Sequence, residues 1–80
     1  MTVNDAVAKR ISKLLLEKDM SQYRLEQTSG IQHGRMQCIM NGRTKTVTLS
    51  TVMMLARGFD IPLTEFLDDE VFRCESLEIE

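Results

Sequence analysis

Residues 21–42, SQYRLEQTSGIQHGRMQCIMNG, leave little freedom in how the chain around them can fold. They carry the start and stop signals of two short helices with one tight turn between. The Ser21 hydroxyl can accept from a free backbone N–H of a first helical turn. Met20 and Leu25 stand at the two positions of a hydrophobic staple around it. Gly30 follows the last periodic residue and tolerates the left-handed conformation that ends a helix. Ile31 and Met36 repeat the staple spacing around Gln32, which by residue type is a poor cap. Asn41-Gly42 then stops the second helix. A hairpin reading of Asn-Gly fails because the flanking periodicity is helical rather than alternating. Leu25, Ile31, Met36 and Ile39 fall on an inner face and leave Gln32, His33, Arg35 and Gln37 outside.

The flanks supply support for such a pair. Val7, Ile11, Leu14 and Leu15 form one helical stripe, predicting a first helix over residues 5–18 after a flexible stretch at 1–4. Residues 19–20 are a connection that permits only an adjacent helix. After a polar, basic loop at 43–47, Thr48 caps a fourth helix, with Leu49, Val52, Met53, Ala56 and Phe59 as its predicted inner face. Pro62 suits the opening of a short fifth helix with Leu63, Phe66 and Leu67 as its apolar side. The expected architecture is all-α: a five-helix domain over residues 5–67 and an acidic C-terminal tail or arm at 68–80. That last segment is either disordered or packed on its own domain or on a second subunit.

Size and charge narrow the classes. Eighty residues, 42 % of them apolar, make one small domain whose marginal core can gain from dimerisation. The net charge of −2 is unevenly spread. Residues 1–21 hold four Lys/Arg against three Asp/Glu, residues 22–59 five against Glu26 alone, and residues 60–80 one against eight. A basic centre is compatible with nucleic acid, because phosphates respond to the local patch rather than the total. It is equally compatible with a mixed solvated surface. No apolar run approaches the ~20 residues of a membrane span. The N-terminus has no charged-then-apolar leader, so a cytoplasmic protein with Cys38 and Cys74 as free thiols is expected. One His and two distant Cys are too few for a structural metal site. His33 and Cys38, five apart on a helix, lack a shared face and a third orienting group, so no enzyme and no cofactor are expected.

Two short helices joined at Gly30 have the layout of a helix-turn-helix, whose second helix enters the DNA major groove. The chain from 7 to 67 resembles the phage Cro/repressor-type, or Xre-like, helix-turn-helix family. The resemblance is carried by Ile11, Leu15, Ser21-Gln22, Leu25, Ser29-Gly30-Ile31, Met36, Ile39, Asn41-Gly42, Thr48-Leu49, Leu55-Ala56, Ile61 and residues 63–67. It is most similar to small single-domain bacterial members with an Asn-Gly-Arg turn after the recognition helix. Four positions depart from the pattern. Glu26 replaces a frequent Ala, and Gln32 replaces the usual Ser or Thr. Leu15 and Met40 stand where many members hold a buried Arg–Glu pair. A buried ion pair can be exchanged for packed apolar residues without loss of stability.

The resemblance implies a double-stranded DNA-binding transcriptional regulator, a repressor that reads an operator through residues 32–40. Gln22 would donate to a phosphate at a helix N-terminus. Gln32 and His33 would meet base edges or phosphates, Arg35 a phosphate or guanine, and Gln37 an adenine. Arg43, Lys45 and Thr46 would grip the backbone from the following loop, with Lys9 and Arg10 as lesser candidates. Gly34 either admits a close approach or simply weakens the helix by ~1 kcal/mol. Cys38 reads as a half-buried structural residue, or one lying against a thymine methyl. A homodimer spanning two half-sites ~34 Å apart is the expected assembly, with the fifth helix and tail at its interface. The alternative is an antitoxin-type or protein-binding module. In it the acidic arm engages a small protein partner through Val71, Phe72, Leu77 and Ile79, with DNA binding kept or lost.

Overall fold

The computed structural model describes residues 1–43 and 46–73. Five α-helices follow one another: α1 (Val3–Glu17), α2 (Gln22–Ser29), α3 (His33–Met40), α4 (Leu49–Gly58) and α5 (Leu63–Leu67). A 3-10 turn, Glu70–Phe72, ends the described chain. The all-α, five-helix expectation holds. Val7, Ile11 and Leu14 of α1, Leu25 of α2, Met36 and Ile39 of α3, and Leu55, Phe59 and Phe66 beyond them are almost wholly removed from water in one core. Burying each such side chain stabilises the fold by about 2 kcal/mol.

The helix boundaries follow from local chemistry. The sequence reading places α1 at residue 5 and leaves 1–4 flexible; the helix in fact starts at Val3. The Thr2 hydroxyl accepts from Asp5 N–H, and the Asp5 carboxylate accepts from Thr2 N–H, both at 3.1 Å. These reciprocal bonds satisfy two otherwise orphaned donors. They also hold the Asp5 carboxyl below its ordinary range, the backbone donor being the larger cause. Asn4 is buried as a result of this early start. Ser21 and Thr48 cap α2 and α4 as expected, accepting from Arg24 N–H and Thr51 N–H.

Three helix ends share one motif, in which the third residue past the helix bonds back to its third-last carbonyl. The bonds are Met20 N–H to Leu15 O, Arg43 N–H to Cys38 O and Ile61 N–H to Ala56 O, at 2.9, 2.9 and 3.0 Å. The intervening residue takes a positive φ in each case: Asp19, Gly42 and Asp60. Asp tolerates this conformation because its short polar side chain can bond locally.

Three apolar side chains assigned inward face solvent instead: Leu49, Met53 and Leu67. Met53 follows Val52, about 100° further round the helix, and so leaves the stripe of Val52, Leu55, Ala56 and Phe59. Leu49 opens α4 at its free end, and Leu67 closes the short α5. Leu15 and Met40, the pair standing where an ion pair is common, are both half-buried against the core.

Arg10 also departs from the expectation. The sequence reading offers it to the DNA backbone, but the side chain is buried. Its Nε–H and NH2 donate to the carbonyls of Phe66 and Glu65, both at 2.8 Å, and its NH1 lies 3.3 Å from Asp69 Oδ2. A cation at a helix C-terminus satisfies carbonyls that have no partner in the helix. Asp69 also accepts from Lys13 at 2.9 Å. Residues 69–72 thereby pack on their own domain, with the Phe72 ring 6.2 Å from that of Phe66. Phe72 is thus not a free anchor for a partner; Leu77 and Ile79 lie outside the described residues.

Candidate nucleic-acid interface

The outward face of α3 depends on how α2 is seated beneath it. α2 packs chiefly on α4. The approach is close because position 58 is glycine: a Cβ there would lie 2.8 Å from Ser29 Cβ and 2.9 Å from Leu25 Cδ1. Thr28 Oγ1 donates to the Gly58 carbonyl at 2.9 Å and fastens the same seam. Gly30, at φ 79°, then turns the chain, and Ser29 Oγ accepts from Ile31 N–H at 3.2 Å. Ile31 enters the core, which fixes where α3 begins.

α3 buries Met36 and Ile39 and exposes His33, Gly34, Arg35, Gln37 and Cys38. The expected division between inner and outer residues therefore matches the burial. Gln32 occupies the N-cap without a side-chain bond, as its residue type suggests, and is exposed. Cys38 is exposed rather than half-buried, because it follows the buried Met36 by two residues and so turns outward. Nothing lies within 4 Å of a Cβ placed on Gly34, so the fold itself does not require glycine there.

The polar side chains near α3 form two linked sets. In the first, Glu26 Oε2 receives His33 Nδ1 at 2.8 Å and Gln22 Nε2 at 3.2 Å, while Gln37 Nε2 approaches His33 Nε2 at 3.3 Å. The Glu26 side chain is only 9 % exposed and His33 is 68 % exposed, so the set runs from the protein interior to its surface. In the second, Arg35 NH2 donates to Thr51 Oγ1 at 2.6 Å, and Thr51 Oγ1 lies 3.0 Å from Thr48 Oγ1 at the start of α4. Arg35 is exposed overall but tethered through this bond. Arg43 and Thr46 are exposed on either side of the loop; Lys45 lies outside the described residues. Lys9 is exposed too, whereas Arg10 is engaged within the fold.

Gln22, His33 and Gln37 are thus brought together, and Arg35 is directed to α4. Glu26 is the member that sequence reasoning passed over. It stands out only as a departure from a small residue, and its bond to His33 crosses the turn between partners seven positions apart in sequence.

A short helix held across a tight turn, with polar residues on its free face, defines a helix-turn-helix domain of the DNA-binding class. The family model of the Cro/C1-type HTH DNA-binding domain matches residues 10–71, and the chain belongs to that family. No curated protein and no solved structure matches the chain in the corresponding searches. Among the described residues, no helix is long and apolar enough to cross a membrane.

Proposed function

We propose that the chain is a transcriptional regulator, a repressor that occupies a promoter in the cytoplasm as a homodimer on double-stranded DNA. The observation that supports this most directly is the solvent-facing side of α3 in a Cro/C1-type domain, where His33, Arg35 and Gln37 are all exposed. In this reading residues 32–40 enter the major groove. Gln32, His33, Arg35 and Gln37 meet bases or adjoining phosphates. Gln22, at the N-terminus of α2, donates to a phosphate, aided by the local excess of backbone donors. Arg43, Lys45 and Thr46 hold the backbone beside the groove. Two copies read half-sites ~34 Å apart, which compensates for the modest contact of one small domain.

Selection from random duplexes at low salt tests this reading. Enrichment of a two-fold symmetric site is expected, with a dimer on that site in sedimentation. Arg43→Ala should weaken all sequences about equally and lower the salt slope by about one. Gln37→Ala should instead relax one base position in each half-site. Failure to enrich any duplex would overturn the proposal, and a monomer on the selected site would overturn its dimeric part.

A further inference from the structure

We propose that Glu26 is a positioning residue that fixes the proton on His33 and, through it, the edge that Gln37 offers to a base. This rests on the reading of α3 as the base-contacting helix.

The chain of bonds has a single polarity. Glu26 Oε2, with its side chain 9 % exposed, is an acceptor 2.8 Å from His33 Nδ1, so Nδ1 carries the hydrogen. In the neutral ring Nε2 is then an acceptor. Gln37 Nε2 lies 3.3 Å from it and is the donor. His33 and Gln37 are one helical turn apart and share a face. With one N–H engaged by the ring, Gln37 keeps its Oε1 and its second N–H. An acceptor and a donor side by side on one amide match the N6 amine and N7 of adenine. If the ring hydrogen sat on Nε2, the amide would have to turn Oε1 toward the ring. It would then offer only N–H groups outward, which suits the acceptors of guanine or thymine. Gln22 donates to the same Glu26 oxygen at 3.2 Å, so a phosphate-directed side chain and a base-directed one share an anchor.

Two measurements decide this. The first is the imidazole nitrogen spectrum of the free protein, which separates the two neutral ring forms without DNA. The wild type should show hydrogen on Nδ1, and Glu26→Ala should move the ring toward the Nε2–H form. The second is selection with Glu26→Ala and Glu26→Gln, alongside Gln37→Ala to mark the base position concerned. Preference for adenine there should fall about tenfold in Glu26→Ala, within the range a bidentate pairing contributes. Glu26→Gln keeps the shape of the buried side chain and should lie between the two, which guards against a folding defect in the alanine variant. An Nε2–H ring in the wild type, or an adenine preference unchanged in both variants, would overturn the proposal. If the wild type enriches no duplex, the DNA reading fails with the base-reading half, and the spectrum alone judges the ring assignment.

Discussion

Two polar clusters in this domain are built from similar bonds and do opposite work. Around Arg10, the ion pair faces inward, its side chain 7 % exposed and that of Asp69 10 % exposed, and Lys13 alone of the charged members reaches solvent. Around Glu26, the anion is equally enclosed but its principal partner His33 is 68 % exposed. Removing Arg10 from the first cluster takes a donor from the buried Phe66 carbonyl where water cannot readily replace it. Removing the carboxylate of the second leaves His33 and Gln37 within reach of water. The difference teaches that the exposure of the partners, rather than the number of bonds, decides whether a cluster holds a fold or presents a surface.

The largest expected effect tests that contrast directly. Arg10→Ala orphans the buried Phe66 carbonyl and takes one donor each from Glu65 O and Asp69, and should lower unfolding stability by about 3 kcal/mol in denaturant titration. Glu26→Ala should cost less than about 1 kcal/mol in the same assay, since its partners rehydrate. Equal losses would break the comparison.

Next in size is Gly58→Ala. It places a methyl 2.8 Å from Ser29 Cβ and should destabilise by about 2 kcal/mol, read as a lower thermal midpoint. Gly34→Ala should act the other way. The position is open and helical, so stability should rise by about 1 kcal/mol. If the same variant binds the selected duplex less tightly, glycine is kept there for groove approach rather than for the fold.

The smallest shift concerns pH. The Asp69 carboxyl is held below its ordinary range by the Val71 backbone N–H first and then by the Lys13 ammonium. Its stabilising contribution is therefore present above the ordinary carboxylate range and disappears as pH falls through the lowered value. Lys13 is shifted upward by its bond to Asp69, so its share persists below the ordinary lysine range and is lost as pH rises through the raised value. Asp69→Asn should flatten the acid limb of the thermal midpoint against pH.

Much of the fold was legible because its signals are local. Ser21, Gly30, Thr48 and Asn41-Gly42 act within a few residues of themselves, and the apolar spacing of α1 and α3 needs no tertiary knowledge. Arg10 was misread because its partners Glu65 and Phe66 lie 55 and 56 residues away, beyond any window of periodicity. The early start of α1 was missed for a different reason. Thr2 and Asp5 form a valid capping pair and Val3 stands one helical turn before Val7, but a cap so near the start of the chain leaves a single turn of pattern to carry it. Within the candidate interface, the identity of outward residues followed from helix phase. The tether from Arg35 to Thr51 and the link from Glu26 to His33 join separate helices, and helix phase alone carries no information about them.

The tight seating of α2 on α4 through Gly58 separates what aims α3 from what α3 presents. The outer positions of α3 contribute little to the core, and substitutions at such sites typically change stability by no more than about 0.5 kcal/mol. On the proposed reading, the outer face of α3 therefore tolerates rewriting at little thermodynamic penalty, because the mounting that aims it lies elsewhere, in the seam at Gly58.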